Sequence, residues 1–518
     1  MPGKLAGDDF LANDVAQGTH TVQPQLATDC EVGFSLHQAS SGQQVSTVPR
    51  ASPPGVDRLT RVTDDILTPA DVEAIRTRVR ALLPTLRNDL EDLSRIPSVS
   101  LETLEGYDQA HVDASAERVA ALLRAEGLDV EIIREGGQPA VIGHIDGPPG
   151  APTVTLYAHH DVQPAGDPAL WDSDPWTPTE VDGRLYGRGV ADDKAGVTAH
   201  LAALRAHAGN LPVGVTVFVE GEEEVGSDSL PAILARHGHR LAADAIILAD
   251  SGNWDIGLPA LTTTLRGMLR AVVTVQTLDH GVHSGMFGGA CPDALTALIR
   301  LLATLHDEDG NVAVAGLRSG QAAALDYDEA RLRRESGLLD CVELIGSGPI
   351  LDRLWTKPSM TTIGINAPTV ENASNTLVPS ASAKVSMRIA PDEDPKTAYA
   401  ALKAHLEAHV PWGAKLTVTL ADDGPGFSAT TDGPVYDQAR AALADAFGVE
   451  SVEMGVGGSI PFVAAFAERF PEAAILVTGV EDPDTRAHGA NESLHLGDWE
   501  KACLAEAIFL ARLGALPR

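Results

Sequence analysis

Apolar positions along the chain fall into two repeating patterns that give way to one another. From Thr68-Pro69, a helix-capping residue followed by a residue suited to a first turn, Val72, Ile75, Val79, Leu82 and Leu83 recur at the three-to-four spacing of a helix face. A second helical stretch covers 112–126. Short β-branched runs follow at 130–133, 154–157, 215–219 and 246–248, with helical stretches such as 195–208 between several of them. Strand alternating with helix predicts an α/β domain whose central sheet is flanked by helices.

After about residue 262 the order changes. Strand-like 269–277 leads through a Gly-rich turn to a helix at 292–306, then come strand-like 381–389, a helix near 395–409 and strand-like 414–420. This order fits a compact α+β (ferredoxin-like) domain inserted into the first. From about 426 the α/β character resumes, with a strand at 474–478 and a closing amphipathic helix at 499–513. The expected organisation is therefore an α/β domain over 69–262 and 426–518 with an α+β domain inserted over 263–425. Residues 1–68, rich in Gln, Ser, Thr, Gly and Pro and without periodicity, read as a flexible extension.

Composition narrows the function classes. Acidic residues outnumber basic ones 72 to 38, a formal net charge of −34, which argues against nucleic acid or an anionic membrane as partner. Four scattered cysteines, Cys30, Cys291, Cys341 and Cys503, form no CxxC pair, so the chain carries no cysteine-built zinc site and suits a reducing compartment. No apolar run is long enough to span a bilayer, and the first residues lack a basic start followed by an apolar stretch. The expectation is a cytoplasmic protein.

The chemistry gathers just past strand ends, where open α/β sheets place their sites. The first strand runs into Ala158-His159-His160-Asp161, the next into Glu220-Gly221-Glu222-Glu223-Glu224, the third into Ala249-Asp250, and the late strand leads to Arg486-Ala487-His488. Between the first two lies the Gly-flanked acidic turn Gly187-Arg188-Gly189-Val190-Ala191-Asp192-Asp193-Lys194. Singly, each has a plain explanation: a hydrogen-bonded strand-end histidine, a helix-capping aspartate, a solvated glutamate run. Together they would bring several carboxylates to one rim, and desolvated carboxylates stay charged side by side only with cations between them.

The strings LYAHHDVQP, LYGRGVADDKAG, EGEEEVGS, HSGMFGG, GGSIP and AHGANE, in that order, resemble the carnosinase-like dipeptidase branch of the two-zinc metallopeptidase family that also contains aminoacylase, glutamate carboxypeptidase and succinyl-diaminopimelate desuccinylase. The resemblance covers roughly residues 70–518. It implies that His159 and Asp250 bind one divalent metal, that Glu224 and His488 bind a second, and that Asp192 bridges both. Zinc suits nitrogen and carboxylate ligands, with manganese or cobalt as substitutes. Asp161 would orient His159, and Glu223 would be the general base toward a metal-bridging water. A cis peptide is implied at Asp192–Asp193.

In such enzymes the counterpart of His283 reaches into the site of the partner subunit of a homodimer to stabilise the oxyanion. Gly281 stands here where the family usually has an acidic residue. Arg388 would grip the free carboxylate of a small peptide substrate, and Asn375 and Ser459 are further substrate-contact candidates. Three readings follow: a metal-dependent dipeptidase, an N-acyl amino acid deacylase or desuccinylase of the same family, or a metal-free binding relative, which the intact ligand set opposes.

Overall fold

The computed structural model describes residues 66–517 apart from 102, 103, 105 and 459. The expected N-terminal extension, save its last three residues, lies outside the described residues, as does Ser459.

The first element of the described residues is the helix Pro69–Ser94, as the pattern predicts. Thr68 Oγ1 accepts from the Asp71 amide at 3.3 Å while the Asp71 carboxylate accepts from the Thr68 amide at 3.0 Å, which satisfies two otherwise orphaned donors. Val72, Ile75 and Val79 are buried along one face.

The main sheet has nine strands. Along its path run Asp129–Ile133, Ala140–Ile145, Gly214–Glu220, Thr153–His159, Ala245–Leu248, Ala474–Val477, Ala260–Leu265 and Phe427–Ser428, and Val452–Val456 pairs with Ala260–Leu265 off the path. The four strands Gly214–Glu220, Thr153–His159, Ala245–Leu248 and Ala474–Val477 are mutually parallel. Their apolar runs are continuous because both faces are covered. Val154, Leu156, Val215 and Val217 pack with the helices Pro69–Ser94, Lys194–Ala206, Pro434–Phe447 and Leu496–Gly514. Tyr157, Phe218, Ile246 and Leu248 pack with Leu230–Leu241 and Pro461–Arg469 on the other side. All four parallel strands point the same way, so their carboxyl ends form one rim.

The second sheet has the order Ser359–Asn366, Ser380–Ile389, Gly267–Gln276, Lys415–Gly424, every neighbouring pair antiparallel. With the helices Ala294–Ala303 and Pro395–His409 packed on one face, this is the ferredoxin-like arrangement. Ser359–Asn366 escaped the sequence pattern because it is an edge strand: Met360 is its one buried residue, so it has no alternation to read. No helix among the described residues is long and apolar enough to cross a membrane.

Candidate metal centre

The rim collects the predicted side chains. His159 ends its strand, Glu223 and Glu224 follow Glu220 in a single 3-10 turn, and Asp250 lies two residues beyond Leu248. Asp192 precedes the helix Lys194–Ala206, and the peptide bond between Asp192 and Asp193 is cis. Asp192 stands between the two histidines: His159 Nε2 is 3.0 Å from its Oδ1 and His488 Nε2 is 3.1 Å from its Oδ2. On one side Asp250 Oδ1 lies 3.9 Å from His159 Nε2; on the other, Glu224 Oε2 lies 3.2 Å from His488 Nε2. His488 reaches this position from a backbone φ of 63°.

The cluster lacks countercharge, and its proton affinities show it. Burial, with Asp192 and Glu224 alongside, raises Asp250 to about 7. Burial and Asp250 hold the Glu223 carboxyl well above the usual carboxylate range, and burial and Asp192 raise Glu224. Hydrogen bonds to Asp192 and Glu224 push His488 up to about 11. A divalent cation relieves the same repulsion without protons. Ligand atoms of His159, Asp192 and Glu224 lie within 4.8 Å of one another, as do those of His159, Asp193 and Asp250. Nitrogen and carboxylate oxygen at these spacings fit a zinc-type ion.

The surrounding groups explain the rigidity. His159 Nδ1 is 3.1 Å from the Asp161 carbonyl oxygen and 3.3 Å from its carboxylate, so a donor on Nδ1 leaves the lone pair of Nε2 facing Asp192. The Asp161 carboxylate also accepts from the amides of Glu223 and Glu224, at 3.2 and 3.1 Å, and from Ser100 Oγ at 2.7 Å. One buried residue thereby fixes the imidazole and the acidic turn together.

The glutamate run is sorted by partner. Glu220 accepts from Tyr157 and Ser227, Glu222 accepts from the backbone amides of Gln138 and Ser229, and Glu224 accepts from Gln163 at 3.0 and 2.7 Å. Glu223 lines a cavity of about 490 Å³ with Asp192, Asp250 and His488.

Three participants were missed by sequence reasoning. Glu492, within the AHGANE string, accepts from Arg188 at 2.6 Å and from the amides of Gly189, Ala191 and Asp192 at 3.0 to 3.2 Å, anchoring the turn that carries Asp192. Gln163 clamps Glu224. Glu481 lines the cavity itself. Glu492 and Gln163 lie inside the strings AHGANE and LYAHHDVQP, whereas Glu481 lies in none of them.

The substrate-contact candidates lie apart from this cluster. His283 is exposed, paired with Thr376 on a two-residue ladder, and its Nδ1 accepts from the Gly285 amide at 3.0 Å. A backbone amide thus orients the ring in the absence of an acid at 281. Asn375 is exposed beside it, its carbonyl accepting from the Ser284 amide at 2.9 Å. Arg388 is half-buried on the face of the second sheet opposite its core, as alternation predicts. Neither His283, Asn375 nor Arg388 lines the 490 Å³ cavity.

An acidic bridge between two histidines, on the carboxyl rim of parallel strands, is the equipment of a metal-dependent hydrolase. The model of peptidase family M20/M25/M40 matches residues 155–512. The chain belongs to that family and is a metal-dependent peptide hydrolase. Among curated relatives, the cysteinylglycine-S-conjugate dipeptidase of Corynebacterium striatum is 36% identical over 442 residues, spanning 84% of this chain and 97% of its own. The Beta-Ala-His dipeptidase of Rattus norvegicus is 30% identical over 401 residues, 73% of this chain and 80% of its own. The crystal structure of human carnosine dipeptidase 1 superposes with a TM-score of 0.74 at 26% identity, covering 87% of this chain and 100% of that one.

Proposed function

We propose that the protein hydrolyses the amide bond of dipeptides with a free C-terminal carboxylate, using two divalent cations, zinc for preference. His159 and Asp250 hold one, Glu224 and His488 hold the other, and Asp192 bridges them. The observation that carries this reading is the Asp192 carboxylate, with one oxygen 3.0 Å from His159 and the other 3.1 Å from His488. When bound, the metals acidify a water and polarise the scissile carbonyl.

The chain supplies the rest. Glu223, with its raised proton affinity, takes a proton from the attacking water and passes it to the leaving amine. Asp161 holds His159 and the Glu223–Glu224 turn in register. Arg388 receives the substrate carboxylate through charge-assisted hydrogen bonds. The inserted unit, 263–425, forms a homodimer that carries His283 into the partner subunit's site. Exposure of His283, away from its own chain's cavity, supports that arrangement. The same proposal places the protein in the cytoplasm, in keeping with the free Cys291, Cys341 and Cys503.

The test combines a panel of dipeptides and N-acetyl or N-succinyl amino acids with Glu223→Gln. The variant should keep its metal, measured by elemental analysis, and lose about 10²–10⁴-fold in kcat. Near-normal turnover removes Glu223 from the base role, and wild-type protein that cleaves only the N-acyl compounds makes it a deacylase.

A further inference from the structure

Glu481 is a carboxylate that neither the ligand set nor the base accounts for. It follows the strand Ala474–Val477 in a loop pressed against Ser251–Asn253: a Cβ on Gly479 would lie 1.3 Å from the Ser251 carbonyl oxygen. The Glu481 amide donates to Ser251 O at 3.4 Å, and its carbonyl accepts from the Asn253 amide at 2.8 Å. With its backbone pinned on both sides, the half-buried side chain enters the cavity that holds Asp192, Glu223, Asp250 and His488.

No hydrogen bond or ion pair to the Glu481 carboxylate occurs among the described residues. Its charge is disfavoured there: burial, then Asp192 and Asp250, hold its carboxyl well above the usual range. Of the bases in the cavity wall, Arg331 is engaged elsewhere, 2.6 Å from Glu335 and 4.3 Å over the Trp254 ring, and His488 is committed to Asp192 and Glu224 at 3.1 and 3.2 Å. Two divalent cations would be balanced by the carboxylates of Asp192, Glu224 and Asp250 together with Glu223, which leaves Glu481 as a further acid in the same cavity.

A dipeptide brings a cation to that place. Its α-ammonium nitrogen is two bonds from the scissile carbonyl carbon, so a carbonyl within reach of Glu223 carries its ammonium into the same cavity. An N-acyl amino acid has no such charge. We propose that Glu481 binds the substrate's α-ammonium group and makes the enzyme select peptides with a free amino terminus. The assignment rests on the amide-hydrolase reading above. It names the substrate contact that separates a dipeptidase from a deacylase.

The test compares alanylglycine with N-acetyl-alanylglycine on the metal-loaded enzyme. Wild-type protein should prefer the free amine in kcat/KM. Glu481→Gln should shrink that preference about 10- to 100-fold, mainly through KM, as expected for loss of a charged hydrogen bond, with metal content unchanged. An unchanged preference in the variant overturns the assignment, and so does loss of bound metal, which would make Glu481 a ligand. If the Gln variant fails to fold, Glu481→Asp takes its place: a measurably weaker free-amine preference supports the assignment, an unchanged one overturns it. Wild-type protein that cleaves neither peptide overturns the hydrolase reading and the ammonium contact with it.

Discussion

The two sheets present their charged residues in opposite ways. On the carboxyl rim of the main sheet the acids are buried and tied down: Asp161 and Glu492 accept several hydrogen bonds each, and Glu224 is clamped by Gln163. On the open face of the second sheet, Arg270 and Lys384 share the half-exposed Asp422, at 2.6 and 4.0 Å. Arg388 lies on that face too, and burial together with Arg270 lowers its proton affinity. His283 is fully in the open. The half proposed to hold the metals is therefore preorganised within one chain, where fixed dipoles cost nothing at the moment of reaction. Arg388 and His283, proposed to meet the substrate, lie outside the cavity, and on that reading a partner subunit or a movement would have to bring them to it.

The sharpest way to break this contrast is to mix subunits. Glu223→Gln and His283→Ala homodimers should each be nearly inactive. Hybrids of the two carry one site with both defects and one with neither, so activity should return to the mixture. Confirmed hybrids without recovery would place His283 in its own subunit's site or outside catalysis, and the second sheet would lose its assigned part in the reaction.

A smaller effect isolates Arg388. Arg388→Ala should raise KM for dipeptides about 10- to 100-fold, in line with loss of a charge-assisted hydrogen bond, and should leave the corresponding C-terminal amides little changed. An intact preference for the free carboxylate over the amide would show that the carboxylate is held elsewhere.

The mildest test reads the buried half through its stability. Burial raises Glu220, and burial with neighbouring carboxylates raises Asp250, both to about 7, from ordinary values of 4.5 and 3.8. Groups raised on folding stabilise fully below their unfolded values and lose that contribution as pH climbs through the folded ones. Metal-free protein should therefore melt lower at pH 8 than at pH 5, by on the order of 2–5 °C. Added zinc should raise Tm more at pH 8, where protons no longer compete for the ligands. Equal shifts at the two pH values would mean that the cluster does not share its charge with the cation.

Much of the site was legible before folding. Strand-end residues are readable because β-branched runs announce the strands and the residues after each run fall on the rim; His159, Glu223, Glu224 and Asp250 were singled out this way, Asp192 by its Gly-flanked turn and His488 by the loop after the late strand, and the roles expected of them came from the resemblance of the strings. Glu481 was not singled out. It belongs to no string, and a lone glutamate in a loop resembles any solvated acid until the loop is seen crossing Ser251. Pro461–Arg469 and Ser359–Asn366 went unread for a different reason. One is a nine-residue helix opening on a proline, whose buried Phe462, Val463 and Phe466 span little more than one turn, and the other is an exposed edge strand with Met360 as its one buried residue.

Periodicity and motif order alone determine the layer architecture, the insertion of one α+β unit into an α/β frame, and the acid-and-histidine chemistry, because these depend on which face of each element must be buried. Only tertiary structure decides the anchoring of the Asp192 turn by Glu492, the hold of Asp161 on the Glu223–Glu224 turn and the unpartnered carboxylate of Glu481. The first two are contacts of about 3 Å between segments far apart in the chain and the third is the lack of one among the described residues, and such distances are set by packing, which no local pattern encodes.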